Sequence, residues 1–115
     1  IAARFEWARG VTQQPPAGEA ERRLAFAARL GTVLAEAGLL MLPSAPDIAP
    51  LRGLAGPSSQ SFRDRTLSLT CIAGLARLPQ LNLPAGRVQG CPVGLSLIGP
   101  WGSDRALLDL AVQLS

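Results

Sequence analysis

The sequence predicts an α/β layered fold, and three observations carry that expectation. Over residues 19–37, Phe26, Leu30, Val33, Leu34 and Ala37 recur at i, i+4, i+7, i+8 and i+11, the stripe of an amphipathic helix. Directly after it, Leu39-Leu40-Met41-Leu42 is apolar with no polar face, the pattern of a short buried strand (39–42). Further on, Val93, Leu95 and Leu97 alternate with Gly94 and Ser96, the period of a strand with one face covered (92–98).

The remaining elements follow in order. Residues 1–14 are amphipathic and expected to be partly helical, with Phe5 and Trp7 as anchors, and Gln14-Pro15-Pro16-Ala17-Gly18 breaks the chain. Glu19 and Glu21 suit the positive end of the 19–37 helix dipole, and Gly38 stops it. After the strand, Pro43, Pro46 and Pro50 punctuate a loop and keep it out of the sheet. Residues 51–60 read as a flexible Gly/Ser connection. Ser61-Phe62-Arg63-Asp64 has the form of a capping box that starts a helix over 61–74. A strand over 80–84 and the strand over 92–98 form a hairpin with a loop at its tip containing Gly86 and Gly90. Ser103 caps a last helix (103–114), with Asp104 at its positive end and Leu107, Leu108, Ala111 and Leu114 inside. The whole of 1–115 reads as one segment, with no internal repeat.

Composition excludes several function classes. The 115 residues include no His, no Tyr and no Lys, so all eleven basic residues are Arg. There is no imidazole for a Ser-His or Cys-His pair and no ammonium for a Ser-Lys pair or Schiff base. A metal site would lack the usual His/Cys sets, and none is expected. The net charge of +3 is spread over scattered arginines without interleaved aromatics, so no nucleic-acid partner is expected. No run reaches the ~18 apolar residues of a membrane span. Arg4, Glu6 and Arg9 interrupt any leader-like stretch, which points to the cytoplasm. Starting at Ile1 suggests a processed, truncated or fragmentary product. With 48% apolar and 17% charged residues, the chain also looks partly covered by something else.

Few side chains are candidates for chemistry. Ser44 follows the 39–42 strand at its carboxyl end, where α/β sheets place binding loops; a rigid turn with a satisfied hydroxyl explains it equally well. Ser58, Ser59 and Ser61 have no base beside them and read as loop and cap. Asp64 and Arg65 read as surface charges, and Asp47 and Asp104 as loop and helix-start carboxylates rather than a dyad. Cys71 and Cys91 are expected to be reduced and mostly buried. Trp101 is expected to cover an edge of the core.

Four phrases occur in one order: Leu42-Pro43-Ser44-Ala45-Pro46; Ala73-Gly74 with Leu78-Pro79-Gln80-Leu81-Asn82-Leu83-Pro84-Ala85-Gly86; Cys91-Pro92-Val93-Gly94-Leu95-Ser96-Leu97-Ile98-Gly99; and Asp104 leading into Leu107-Leu108. Together, over about residues 39–111, they resemble the C-terminal part of the amidase signature family. Ala2-Ala3-Arg4-Phe5-Glu6-Trp7 also resembles the subgroup that includes plant-type indole-3-acetamide amidohydrolases. The resemblance implies a larger α/β/α fold with a mixed sheet flanked by helices, and hydrolysis of an amide C–N bond through a serine acyl-enzyme, without cofactor or metal. It also implies a Ser, cis-Ser and Lys catalytic set that lies outside this chain, so no catalytic residue is assigned here. The chain would supply scaffold and one pocket wall, with Pro43, Ser44 and Ala45 as substrate-binding residues, and would be inactive alone. The expected partner is a small amide substrate bound together with the rest of the enzyme. Association through uncovered apolar surface is a further expectation, and a non-catalytic amidase-derived module is the alternative. Ser44 stands where the family usually has Thr, Arg77 where a small residue is typical, and Cys91 where an aliphatic one is.

Overall fold

The computed structural model describes residues 2–53 and 56–114. The elements are α1 (Ala2–Gln13), α2 (Glu19–Ala37), β1 (Leu40–Pro43), α3 (Pro57–Ala76), β2 (Gln80–Val88), β3 (Cys91–Ile98) and α4 (Asp104–Leu114). The strands form one sheet in the order β1-β3-β2, antiparallel throughout. This is the α/β class expected, although the three strands contain no parallel pair of the kind a mixed sheet implies.

Directly opposed residues of antiparallel strands share a face. Leu40 and Leu42 therefore lie beside Ile98 and Ser96, and Gln80 and Asn82 flank the same two positions from β2. That face meets α2 and α3: Leu30, Leu34, Ala73 and Ile98 form the buried cluster, with Leu40, Leu42, Ile72, Ala76 and Leu78 packed on it. Arg23 ties the two helices by donating to the Leu75 carbonyl at 3.2 Å. On the opposite face α4 packs against β2, and Leu81 and Leu107 border one shallow hollow. The layers are thus helix pair, sheet, helix.

The helix ends explain their bounds. Gly38, at φ 80°, returns its N–H to the Leu34 carbonyl and stops α2. At the end of α3, Arg77 sits at φ 57° and bonds to Gly74 O, while Leu78 N bonds to Ala73 O at 2.9 Å. This is a complete Schellman motif built on an arginine, with Leu78 folded onto the core and Pro79 preventing continuation. The position where a small residue is typical does require a left-handed backbone.

Several expectations need correction. α3 begins at Pro57 behind Gly56, which adopts φ 72° and ψ −152°, so Ser61 lies inside the helix and is no cap. Proline at the first helical position costs no hydrogen bond, and this advantage outweighs the capping-box pattern. Of the 51–60 connection, residues 54 and 55 lie outside the described residues, and 57–60 are helical. β1 starts one residue late and includes Pro43. The hairpin has no long tip loop. Its strands run on to Val88 and Cys91, and Gln89 (φ 50°) and Gly90 (φ 78°) turn the chain as a two-residue type I′ turn, with a bulge between Pro84 and Gly86.

The apolar stripes are also narrower than expected. Leu30 and Leu34 are buried on α2, whereas Phe26 and Val33 are exposed. α4 buries Leu107 and Ala111, leaving Leu108 and Leu114 outside. Phe5, Trp7 and Trp101 are exposed instead of covering the core, the last to 85%. Cys71 is exposed and Cys91 half-buried, both as free thiols. The common cause is shape. The chain measures 44 × 40 × 18 Å and exposes 8677 Å², against about 6,000 Å² for a compact domain of its mass. A slab this thin cannot cover both sides of every helix.

Candidate functional site

The pairing of β1 with β3 places the proline loop. Pro43 lies opposite Leu95, and Ser44 carries the pairing one step further by donating its N–H to the Gly94 carbonyl at 2.9 Å. Glycine is required at position 94, because a Cβ there would run into the Ser44 hydroxyl and lie 3.1 Å from the Leu83 carbonyl oxygen. The missing side chain lets the loop approach the sheet, and the approach half-buries Ser44.

Beyond Ser44 the loop turns outward. Asp47 accepts a hydrogen bond from the Ile48 N–H at 2.8 Å through Oδ1, which fixes its carboxylate in the loop. Pro43 to Ile48 then face Val88 and the Pro92–Leu95 part of β3 across a cleft of ≈ 470 Å³. That size is ordinary for a small-molecule site, and so is a mainly apolar wall with a few polar atoms. Here the polar side chains are the Ser44 hydroxyl and the Asp47 carboxylate.

The three substrate-binding candidates, Pro43, Ser44 and Ala45, therefore line one wall together. The opposite wall, from Val88 and Pro92 to Leu95, is not evident in the sequence as a site. Its signal is the hairpin register, which Gln89-Gly90 sets only if they are read as a two-residue turn. The serines of α3 do not join the cleft. Ser58 borders a second hollow with Asp47, Phe62 and Arg65, while Asp64 accepts from Gln60 Nε2 at 2.7 Å. Asp104 opens α4 and borders a different hollow, apart from Asp47's cleft.

A second polar group is not evident from the sequence. Ser96, 2% exposed, donates to Asn82 Oδ1 at 2.5 Å and accepts from Gln80 Nε2 at 3.1 Å. Gln80 also donates to Asn82 Oδ1 at 3.3 Å. These bonds satisfy the buried hydroxyl, as burial requires. Among the described residues no group of three His, Cys, Asp or Glu side chains is arranged to hold a metal, and no helix is long and apolar enough to cross a membrane.

The sequence model of the Amidase family matches residues 8–108. The chain belongs to that family. Rice "Amidase 1" is 35% identical over 92 residues, covering 80% of this chain and 21% of that protein. The Arabidopsis thaliana "Outer envelope protein 64, chloroplastic" is 35% identical over 80 residues, or 70% of this chain and 14% of that one. A glutamyl-tRNA(Gln) amidotransferase subunit from Thermus thermophilus is 39% identical over 77 residues, covering 67% and 16%. Among solved structures, the corresponding amidotransferase subunit from Thermotoga maritima superposes with a TM-score of 0.71 at 21% identity over 90% of this chain and 22% of that one, a likeness of fold. An amidase crystal structure gives 0.64 at 32% identity over 80% and 22%. The amidase-family chain thus spans 14–22% of the length of these relatives.

Proposed function

We propose that this chain is the portion of a serine amidase that supplies three sheet strands, their covering helices and one wall of the substrate pocket. The complete enzyme hydrolyses a carboxylic amide. A serine oxygen attacks the carbonyl carbon, the C–N bond breaks, and ammonia or an amine leaves with a proton. Water then releases the carboxylate from the acyl-enzyme. The observation that carries this reading is the cleft between the Pro43–Ile48 loop and the start of β3, in a chain that matches the family over 8–108.

The nucleophile and base come from the rest of the enzyme. The chain has no Lys or His to activate a hydroxyl, and Ser44 is packed against Gly94, a place suited to shaping the wall. The exposed apolar side chains of α1, α2 and α4 are where that remainder packs, including Phe5, Trp7, Phe26 and Val33. The mainly apolar cleft suits an aryl or alkyl amide. The likeness of residues 2–7 to indole-3-acetamide amidohydrolases points the same way. The proposal keeps the protein in the cytoplasm, which fractionation checks.

The test compares the 115-residue chain with the complete protein that contains it, on simple aryl and aliphatic amides. Turnover by the complete protein and none by the chain is expected. Turnover by the chain alone that Ser44→Ala abolishes overturns the assignment. A second reading is a non-catalytic amidase-derived module, which the absence of Lys and His from this chain also fits. It is favoured if the complete protein folds but hydrolyses none of the amides.

A further inference from the structure

We infer that Asp47 makes the cleft charge-selective, so that it takes neutral or cationic apolar amides and discriminates against anionic ones. This inference rests on the cleft being the substrate pocket. Among the described residues that line the cleft, Asp47 is the only one with an ionisable side chain, and its neighbours there are Pro43, Pro46, Ile48, Val93 and Leu95. Asp47 is exposed, so its carboxylate acts as a solvated charge and the selectivity it gives is modest. Among the described residues Asp47 has no ion-pair partner within 4 Å, the pair present being Arg22 with Glu19. Its hydrogen bond from the Ile48 N–H uses Oδ1. Oδ2 is left to receive a donor from a bound molecule. Asp47 also borders the second hollow together with Arg65, which does not line the cleft and forms no ion pair with it within 4 Å.

The geometry also limits what the ligand can be. An apolar group fills the space between the loop and Val88, Val93 and Leu95, and a positive or hydrogen-bond-donating substituent lies towards Asp47. A carboxylate at that end meets like charge.

The experiment uses the complete protein with phenylacetamide and its para-aminomethyl and para-carboxyl derivatives, reading kcat/KM for each and, by titration calorimetry, the Kd of each. The expected order is cation, neutral, anion. Asp47→Asn should lower kcat/KM for the cation and raise it for the anion, each taken as a ratio to phenylacetamide and each on the order of two- to fivefold, the range of an exposed charge pair. Arg65→Gln should leave the order intact. Equal use of all three probes, or an order that Asp47→Asn does not compress, overturns the inference while leaving the amidase reading standing. No turnover of any probe sinks the amidase reading instead, and the charge order is then read from the Kd values, where equal affinities overturn it.

Discussion

The two ends of β3 behave differently although they belong to one strand of eight residues. Ser96, Leu97 and Ile98 are buried, the last two completely, while Cys91 to Leu95 are half-buried or exposed. The buried end lies under α2 and α3 on one face, and its neighbours Leu40 and Gln80 hold it from both sides. The other end borders the cleft. Burial is concentrated where the strand is sandwiched between layers, and a cleft opens where the layers stop. An α/β sheet commonly uses strand ends in this way, with the scaffold fixed so that the loops beyond it can line a site.

The largest effect is expected at the buried end. Ile98 is fully enclosed by Leu30, Leu34 and Ala73, so Ile98→Ala removes contacts that the packed neighbours cannot replace. A loss of about 3 kcal/mol is expected, near the middle of the range for such truncations. The urea midpoint of the chain measures it. A loss below about 1 kcal/mol would show that the slab collapses around the gap, as a surface site does.

Gly94 sits where the cleft end begins, and it links the two ends. Gly94→Ala places a methyl against the Ser44 hydroxyl and the Leu83 carbonyl. The loop then has to move, at a cost of about 1–3 kcal/mol. Ser44→Ala in the same chain removes one of the two obstacles, the hydroxyl, so the double variant should recover part of the loss. If the two changes add with no recovery, the clash lies with the backbone of Leu83 and the loop is not what Gly94 accommodates.

How much of this was legible in the sequence follows the same division. α2 was readable to its last residue because its stripe, acidic start and glycine stop all agree. The strand itself was readable, but its alternation implies one covered face, whereas Ser96, Leu97 and Ile98 are buried in succession because layers cover both faces there. The outward faces were misread, since periodicity marks residues as apolar but cannot say which of them a chain of this length covers. Phe26 and Val33 on α2, and Leu114 on α4, carry the pattern of a core without one in this chain. The loop wall was half legible. Pro43, Ser44 and Ala45 follow from their place after β1, but Val88 and Val93 reach the cleft only through a hairpin register that depends on two turn residues. Arg77 shows the limit of the propensity rule, since its left-handed cap holds without glycine when the core takes Leu78 just beyond it.

The smallest effect belongs to the turn that sets that register. Gln89 and Gly90 both have positive φ, as a type I′ turn requires, yet the first position holds glutamine where asparagine is much better suited. Asparagine tolerates the left-handed backbone because its short amide bonds locally, whereas the longer chain of Gln89 gains nothing comparable. Arg87 compensates in part by donating to the Gly90 carbonyl across the turn at 2.9 Å. Gln89→Asn should therefore stabilise the hairpin by about 0.5–1 kcal/mol, the scale of relieving one strained left-handed residue. The gain should appear as a higher urea midpoint with an unchanged slope, and as slower amide exchange at Val88 and Cys91 than at Ile98 relative to the parent chain. Equal slowing at both sites would mean that the turn and the buried end unfold as one unit, and the two ends of β3 would then be distinct in exposure but not in stability.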